Sequence, residues 1–444
     1  MEQNFSTTNL KRIWDLRTRR GDHRLLDLYP SVKQAYLDRR DARRELRRAS
    51  RLPLLPGAKE SLAEAADAAT QRADSARDDA LASTSESLIA TVESGTFSWG
   101  LHETKTVNGR RTFGLAATSE RFFAEQVLQR AIAEVTPNRP SSRQSVISNV
   151  ARVLDTNVPK LVIRTDFDRF YESVDHALLV RALGPASLSP TFRGLISALL
   201  QETQKLLGAS RGLPTGVGLS AKLAEFFLAD FDRAMSSTQR TLYYGRYVDD
   251  VVAVLGETEH GELNASLEKA RIAELAGQYG LRLSASKTLT TRTDHSWHLP
   301  QFDLLGYKIK GEPKIVVGLT DLRQSEIKRR IDLAFDAWAA SNPNSHGNRR
   351  LFLDRLRYIT GNFRLANNKR NAFIGMYFSN PHLNDDALLQ NLDQHLNSRL
   401  SAAGLPADVY AVAARLTFTE GFKGRRLHRF TSQQLVRVRR AWNA

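Results

Sequence analysis

The spacing of apolar and polar residues changes several times along the chain, and each change marks a predicted element. Near the N-terminus, residues 31–51 show a strongly basic helical pattern, and residues 58–92, rich in Ala, Glu, Asp and Arg, show a second one. Pro53, Pro56 and Gly57 lie between them, and these residue types interrupt helices. We therefore predict two helices that form a helical hairpin, which serves either in binding or as a solvated spacer.

From Phe97 to about residue 310, strand-like and helical patterns alternate. Asn108-Gly109 lies between two β-rich runs and is a strong hairpin signal. Helical patterns occupy 118–135, 140–154, 174–183, 190–207, 219–235 and 260–279, and strand patterns occupy 161–167, 241–248, 251–255 and a region that begins at 302. The order strand, helices, strand–turn–strand, helix, strand predicts a split α/β plait, so the fold class is α+β.

The pattern becomes helical again after about residue 320 and stays so to the end of the sequence. These changes predict a helical N-terminal extension over 1–95, a mixed catalytic region over 96–317, and a helical C-terminal region over 318–444 that ends in an Arg-dense stretch.

Charge is the feature of the composition that bears most on function. The 444 residues include 64 Lys and Arg against 48 Asp and Glu, which leaves a net charge of +16. Such an excess is typical of nucleic-acid binders. The absence of cysteine excludes disulfides, thiolate zinc sites and a cysteine nucleophile. Without a secretory pattern or a long apolar run, the expected location is the cytoplasm, with no membrane partner.

Three aspartates are the candidate catalytic groups. Asp166 ends one predicted strand, and Asp249 and Asp250 lie in the predicted turn between two others. Neighbouring strands lie about 4.8 Å apart, so the carboxylates converge if those strands pair. Mg²⁺ prefers such hard oxygen ligands, and two-metal polymerases require them. Each motif alone is weak, because Asp is a common turn residue.

Five segments in one order make the pattern specific. They are TDFDRFYESVDH (165–176), RGLPTGVGLSAKLAEFFLADFD (211–232), RYVDDVVAV (246–254), GLRLSASKT (280–288) and FDLLGYKI (302–309). Together they resemble the successive palm motifs of reverse transcriptases. The resemblance implies a right-hand fold, with fingers, a palm that contains the split βαββαβ plait, and a helical thumb.

The same resemblance assigns the metal site. It implies that Asp166 and Asp249 are the principal ligands of two Mg²⁺ ions, with Mn²⁺ as an alternative, and that Asp250 lies beside them. Phe167, next to Asp166, joins both the metal-binding and the substrate-binding set. By analogy, Asp168 and Asp175 lie outside the ligand set.

Further residues receive roles from the resemblance alone. Tyr171, five positions after Asp166, corresponds to an aromatic ring that excludes a 2′-hydroxyl; the alternative is a half-buried core tyrosine. The loop Leu213-Pro214-Thr215-Gly216 resembles the segment that contacts the incoming nucleotide and the template, although many relatives have Gln in place of Thr215.

Two cations complete the set. Lys287 corresponds to a lysine near the leaving pyrophosphate, or else it is a solvated side chain. Three arginines lie upstream of the first palm strand or within it: Arg139, Arg143 and Arg164. Of these, Arg143 is the candidate for binding the triphosphate from the fingers, because a guanidinium matches phosphate geometry; a surface helix charge is the alternative.

The expected activity is RNA-directed DNA synthesis from dNTPs. Thr215 and the segment 355–380, which includes Ile359-Thr360-Gly361, resemble bacterial antiphage-defence reverse transcriptases of the unknown-group, abortive-infection and retron-related type. The rivals are a retron enzyme, a group II intron-like enzyme, which the absence of cysteine disfavours, and a non-catalytic RNA-binding scaffold, which the three aspartates disfavour.

The expected partners are an RNA template, the DNA product and, as in related defence systems, a structured noncoding RNA with either a second neighbour-encoded protein or further copies of the chain. Two basic clusters lie outside the palm motifs and are the candidates for gripping that RNA. They are Arg39, Arg40, Arg43, Arg44, Arg47, Arg48 and Arg51, and Lys423, Arg425, Arg426, Arg429, Arg437, Arg439 and Arg440. The alternative is a pair of solvated basic helices.

Overall fold

The computed structural model describes residues 3–19, 24–50, 57–107, 109–137, 141–156, 158–257, 263–293, 298–311, 314–365 and 372–442. Of the residues used in the predictions above, Arg51, Pro53, Pro56, Asn108 and Arg139 lie outside these ranges. No helix within the described ranges is long and apolar enough to cross a membrane.

The elements follow one another along the chain in this order. The first are α1 (Thr7–Arg19), α2 (Arg24–Asp27), α3 (Pro30–Ala49), α4 (Ala58–Glu93), β1 (His102–Val107), β2 (Arg110–Gly114), α5 (Ser119–Val135), α6 (Arg143–Leu154), β3 (Lys160–Asp166), α7 (Phe170–Ser173), α8 (His176–Leu183) and α9 (Pro190–Leu207). Next are α10 (Gly218–Phe227), α11 (Ala229–Ser236), β4 (Thr241–Tyr247), β5 (Asp250–Gly256), α12 (Ala265–Gln278), β6 (Leu289–Thr293), β7 (Leu299–Leu304), β8 (Tyr307–Gly311) and β9 (Ile315–Leu319). The last are α13 (Asp321–Ala339), α14 (His346–Thr360), β10 (Asn362–Arg364), β11 (Phe373–Gly375), α15 (Asp386–Ala402), α16 (Ala407–Ala413), α17 (Phe418–Lys423), β12 (Leu427–His428) and α18 (Ser432–Arg439).

The chain divides into two compact units built from interleaved segments. The first unit comprises Met1–Arg139, Arg169–Asp230 and Gln278–Leu281, and the second comprises Pro140–Asp168, Phe231–Gly277 and Arg282–Ala444. The chain passes from the second unit to the first directly after Asp168.

In the first unit, α3 and α4 pack against each other as a helical hairpin, which confirms that prediction. α4 buries the small side chains of Ala66, Ala69 and Ala73. Small residues leave room for a neighbouring helix backbone. β1 and β2 form the predicted antiparallel hairpin, and α5 packs against α10.

The second unit contains a four-stranded antiparallel sheet in the order β4-β5-β3-β6. β3 and β5 are its central strands, and the side chains of Val162, Val252 and Val254 enter one apolar core with Val146 and Val150 of α6. Almost every residue of β3 and β5 is buried, and strands buried on both faces have continuous apolar, β-branched sequences. This is why the sequence pattern predicts strands over 161–167 and 251–255. The chain order β3, helices, β4, β5, α12, β6 is that of a split plait, as predicted. Its last strand is β6, however, and not the strand predicted from residue 302, which lies in β7 and β8 and pairs in a separate sheet.

The structure corrects several predicted elements. The helix predicted over 219–235 is two helices, α10 and α11, because the amide of Leu228 is shared between the carbonyls of Ala224 and Phe226 and ends the first. Within the helix predicted over 260–279, α12 begins at Ala265. The side chain of Asn264 precedes it and accepts hydrogen bonds from the amides of Ser266 and Leu267.

Strands that the pattern missed are short or lie at a sheet edge. β6 is the edge strand beside β3 in the four-stranded sheet, and most of its side chains are exposed, so it has little apolar signal. The C-terminal region is not wholly helical, since β10, β11 and β12 form a small sheet there. β7, β8 and β9 form a separate antiparallel meander.

Candidate active site

The register of the central strands places the aspartates at one end of the sheet. β3 and β5 pair over seven residues, and the last pair is Asp166 opposite Asp250. Tyr247 pairs with Asp250 on the other side of β5, so Val248 and Asp249 form a two-residue turn. The prediction that both Asp249 and Asp250 lie in the turn is therefore wrong for Asp250, which is the first residue of β5. Asp249 lies in the turn.

Asp166 is the most buried of the three. Its side chain is 5% exposed. Oδ2 accepts a hydrogen bond from Nζ of Lys287. Oδ1 is buried and has no hydrogen-bond partner within the described part of the chain. A buried acceptor without a partner is costly, and a bound cation would satisfy it.

The other two carboxylates differ in their electrostatic surroundings. Oδ1 of Asp250 lies 3.4 Å from Nη2 of Arg164; burial raises the pKa of Asp250, and Arg164 opposes that rise. Burial, followed by the charge of Asp166, raises the pKa of Asp249 to about 6. The site therefore holds more negative charge than its two cations offset.

Lys287 reaches this site from the segment before β6. The amide of Ser284 donates to the carbonyl of Asp166 at 2.7 Å, and the hydroxyls of Thr165 and Thr288 lie 2.7 Å apart, so this segment is fixed to the end of β3. The Lys287 side chain is 55% exposed, and its hydrogen bond to Asp166 raises its pKa. It is thus a protonated amine with most of its surface open to a ligand.

These residues fit a Mg²⁺ site. Within the described ranges, no three His, Cys, Asp or Glu side chains form a ready-made metal cage. Mg²⁺ commonly takes only one or two protein carboxylates and completes its shell with water and substrate phosphates. The orphaned Oδ1 of Asp166 and the raised pKa of Asp249 both show negative potential that such an ion would relieve.

Phe167 and Asp168 follow Asp166 with opposite exposure. Phe167 is 2% exposed, and its ring packs against Phe231 with ring centroids 5.3 Å apart, so the ring is not available to a ligand. Asp168 is exposed, and its amide donates to the carbonyl of Arg282 at 2.8 Å. That Asp168 lies outside the set of metal ligands stays a prediction.

Tyr171 and the predicted nucleotide loop both belong to the first unit. Tyr171 lies in α7 and is half-buried, and its carbonyl accepts a hydrogen bond from the amide of Leu213 at 2.7 Å. The structure thus joins Tyr171 directly to the start of the loop. Asp175 caps α8 by accepting from the amide of Leu178 at 3.0 Å, which gives that carboxylate a structural role.

The loop itself is fixed by its backbone. The carbonyl of Pro214 accepts from the Ser220 hydroxyl at 2.9 Å, and the carbonyl of Thr215 accepts from the amide of Phe113 at 2.7 Å. Gly216 has φ +104°, and a Cβ there would lie 2.7 Å from the Phe113 carbonyl oxygen. Glycine is therefore required at this position.

Arg143 belongs to the second unit and begins α6. Its Nε donates to the carbonyl of Leu305 at 2.7 Å, and its guanidinium lies 4.6 Å from the centre of the Tyr307 ring. These contacts hold the β7–β8 turn, and Nη2 is buried without a partner in the described residues. Its role in binding triphosphate stays a prediction.

Two residues inside the quoted motifs, Asp232 and Arg246, have a structural role that the sequence did not predict. Asp232 and Arg246 form a buried ion pair, with Nη2 of Arg246 2.8 Å from Oδ2 of Asp232, and Nη1 of Arg246 donates to the carbonyl of Val248 in the aspartate turn. The only signal in the sequence is an Arg three positions before Asp249, and a charge near a motif does not by itself reveal a buried partner.

We predict that Gly216→Ala lowers the free energy of unfolding by about 1–3 kcal/mol, because the new Cβ would lie 2.7 Å from the Phe113 carbonyl oxygen and local backbone strain costs about this much. The matched control is Gly208→Ala, since Gly208 has φ +69° and nothing within 4 Å of its Cβ position. Urea denaturation of both variants is the measurement. Equal losses in the two variants would contradict the close approach to Phe113.

Comparison with known proteins shows which family model the residues of this site match. Residues 111–309 match the family model described as reverse transcriptase (RNA-dependent DNA polymerase). No curated protein matches the chain.

Among solved structures, the chain is similar to apo telomerase from Candida tropicalis truncated from its C-terminal domain, with 11% identity over 44% of this chain and 45% of that one and a TM-score of 0.34. It is also similar to telomerase from Candida albicans in complex with a fragment of telomeric RNA, with 10% identity over 72% of this chain and 54% of that one and a TM-score of 0.36. The chain thus spans about half the length of these solved chains.

The family match covers all three aspartates, Tyr171, the Leu213–Gly216 loop and Lys287. It confirms the α+β polymerase right-hand fold that the motifs implied. Residues 111–309 therefore form a reverse transcriptase domain, the catalytic domain of RNA-directed DNA polymerases, which are nucleotidyltransferases.

Proposed function

We propose that this chain copies RNA into DNA by two-metal nucleotidyl transfer at the end of the β4-β5-β3-β6 sheet. The observation that carries the proposal is the β3–β5 register, which sets Asp166 opposite Asp250 with Asp249 in the adjoining turn. Asp166 and Asp249 would hold the ions, since Asp166 has an unpartnered oxygen and Asp250 faces Arg164.

Mg²⁺, or Mn²⁺ in its place, would lower the charge on the attacking 3′-oxygen and the leaving pyrophosphate. The chain's own cations act beside that charge. Arg164 orients Asp250. Lys287, protonated and half-exposed, neutralises charge on the departing pyrophosphate or donates a proton to it. Arg143 contributes to the binding of the triphosphate.

The proposal gives the first-unit residues the task of selecting the nucleotide. Tyr171 excludes the 2′-hydroxyl with its ring, and Pro214, Thr215 and Gly216 contact the incoming dNTP and the template. The hydrogen bond from the amide of Leu213 to the carbonyl of Tyr171 supports this grouping, because it ties the ring and the loop to one backbone frame. Phe167 contributes through its backbone.

Removal of either principal ligand should abolish synthesis. For Asp166→Ala and Asp249→Ala we expect dNTP incorporation on a primed RNA template to fall by on the order of 10²–10³-fold or more, as when a group that stabilises transition-state charge is removed. Asp168→Ala is the matched control, because Asp168 is an exposed carboxylate two positions from Asp166. Near wild-type rates for either ligand variant would overturn the assignment.

Sugar selection should depend on the Tyr171 ring. We expect Tyr171→Val to shift the ratio of kcat/KM for dNTP over rNTP toward rNTP by roughly 10- to 100-fold, since a difference of a few atoms in the packing of a pocket is worth about that much. Tyr171→Phe keeps the ring and should keep the ratio. If the ratio is the same in Tyr171→Val and in the wild type, Tyr171 is a core residue instead.

The proposal extends to a structured noncoding RNA as the template, held by the exposed face of α3. Successive residues of an α-helix are rotated by about 100°, so five arginines of α3 lie within an arc of about 140° around the helix axis. They are Arg40, Arg43, Arg44, Arg47 and Arg48, all exposed. In the described ranges, the last four form no ion pair with a carboxylate. A helix face with uncompensated guanidinium groups suits a phosphate backbone.

The C-terminal cluster is a weaker candidate, because the fold already uses much of it. Lys423 is paired with Asp386 at 2.9 Å, and the Arg426 guanidinium lies 3.8 Å from Glu420. Arg425 and Arg439 lie over the rings of Tyr377 and Tyr358.

The RNA surface predicts a specific change in salt dependence. We expect the variant in which Arg43, Arg44, Arg47 and Arg48 are all Gln to bind structured RNA more weakly. The log–log slope of affinity against salt should be shallower by up to about 0.7–0.9 for each phosphate that the variant no longer neutralises. Fluorescence anisotropy over a salt series, with unprimed RNA and no nucleotide, is the measurement.

The control removes the same charge from arginines that already have carboxylate partners. These are Arg329, Arg330, Arg349 and Arg399, each changed to Gln. Equal losses of affinity in the two variants would show that net charge alone governs binding, and an unchanged slope in the α3 variant would show that α3 does not bind RNA.

The biological setting we propose is cytoplasmic antiphage defence in bacteria, with either a second neighbour-encoded protein or further copies of this chain as partners. Thr215 and the segment 355–380 support it by their resemblance to defence-associated enzymes. Phage plating on cells that carry the native locus, compared with the Asp249→Ala locus, tests it. Equal plating on both strains would contradict the proposal.

A further inference from the structure

The turn that carries Asp249 has an unfavourable residue at its first position. Tyr247 pairs with Asp250, which leaves Val248 and Asp249 as the two turn residues, and Val248 has φ +60°. A positive φ at the first turn residue is typical of type II′ hairpins, which favour Gly there. For a β-branched residue this conformation is a steric outlier. A contact from outside the turn must therefore maintain it.

Arg246 supplies that contact. Its Nη1 donates to the carbonyl oxygen of Val248 at 2.7 Å. This carbonyl belongs to the peptide group that joins Val248 to Asp249. The hydrogen bond thus fixes the orientation of the peptide directly before Asp249 and, with it, the direction in which the Asp249 side chain leaves the backbone.

Arg246 is itself held in one position by a buried network. Its Nε and Nη2 donate to Oδ1 and Oδ2 of Asp232, both at 2.8 Å, and the Tyr244 hydroxyl donates to Oδ1 at 2.6 Å. The Arg246 side chain is 5% exposed and that of Asp232 15%. Such a two-pronged pair fixes geometry as well as charge. Removal of one partner from such a pair is strongly destabilising, because it leaves an uncompensated buried charge.

Asp249 depends on this backbone support more than its neighbours do. Asp166 has Lys287 as a hydrogen-bond partner and Asp250 has Arg164. Asp249 has no hydrogen bond or ion pair with a cationic side chain of the described residues. The turn therefore sets the direction in which this side chain leaves the backbone, and its carboxylate interacts with that of Asp166.

We propose that Arg246, fixed by Asp232, is a positioning residue for Asp249: it holds Val248 in the left-handed conformation and so aims the Asp249 carboxylate at the metal site. This inference rests on the proposed function only in taking Asp249 as a metal ligand. In this role Arg246 acts through the peptide group that joins Val248 to Asp249 rather than as a metal ligand.

Arg246 together with Asp232 is called the clamp. The test compares variants that disrupt the clamp with the same variants in which Val248→Gly also removes the backbone strain. Arg246→Lys keeps a positive charge for Asp232 but removes the planar fork. Because a lysine could leave the core unstable, a second variant, Asp232→Leu with Arg246→Met, removes both charges and leaves no buried ion unpaired. Each is then combined with Val248→Gly, since glycine adopts positive φ without steric cost. Arg77→Lys is the control, because Arg77 is a largely buried arginine, 12% exposed, that pairs with the carboxylate of Asp78 in the first unit.

The first readout is Mn²⁺ affinity of the protein alone, measured by electron paramagnetic resonance without nucleic acid or nucleotide. We expect both clamp variants to bind Mn²⁺ about 10–100-fold more weakly, as is typical when the support of a metal ligand is removed. Val248→Gly should restore at least tenfold of that affinity, and Arg77→Lys should not change it. The second readout is single-nucleotide incorporation, in which kcat should fall and recover in parallel while KM for dNTP stays within about threefold.

Two results would overturn the inference. One is wild-type Mn²⁺ affinity in both clamp variants. The other is a decrease in affinity that Val248→Gly does not restore, because Arg246 would then serve the fold in general rather than this turn. Absence of DNA synthesis in the wild-type protein would contradict the proposed function instead, and the Mn²⁺ measurements would still decide the role of the clamp.

Discussion

The antiparallel pairing of β3 with β5 is the constraint on which the site depends. Side chains alternate between the faces of a strand, so a slip of one residue would turn Asp166 away from Asp250 and would also move Val162 and Val254 out of the core. Burial of these apolar side chains and the position of the carboxylates are therefore specified by the same register. The core cannot form correctly without bringing the acids together.

That arrangement has an electrostatic cost, which the chain offsets only in part. Like charges directly opposite each other destabilise a strand pair, and here the pair closes on Asp166 and Asp250. Lys287 and Arg164 each contact one of the two. Asp249 is left with a pKa raised to about 6 by burial and by the charge of Asp166. The remaining negative potential lowers the stability of this end of the sheet and makes it suited to binding divalent cations.

The sequence predicted what local pattern encodes. The buried strands β3 and β5, the hairpin helices α3 and α4, and the three aspartates all carry local signals, namely β-branched runs, helical periodicity and an acidic motif. It did not predict β6, which is an exposed edge strand, or the break at Leu228, which no Gly or Pro marks. The role of Arg246 was also missed, because it depends on Asp232, fourteen residues earlier in the chain, and that contact exists only after folding.

Four of the five motifs are in direct contact with one another. Phe167, in the first motif, packs against Phe231 in the second. Asp232, which ends the second, holds Arg246, which begins the third. Ser284, in the fourth, donates to the carbonyl of Asp166 in the first. Four of the motifs are thus joined by direct contacts around one carboxylate cluster. Their occurrence together is for this reason far more specific than any single motif, and it explains why an isolated pair of aspartates in a turn would have carried so little information.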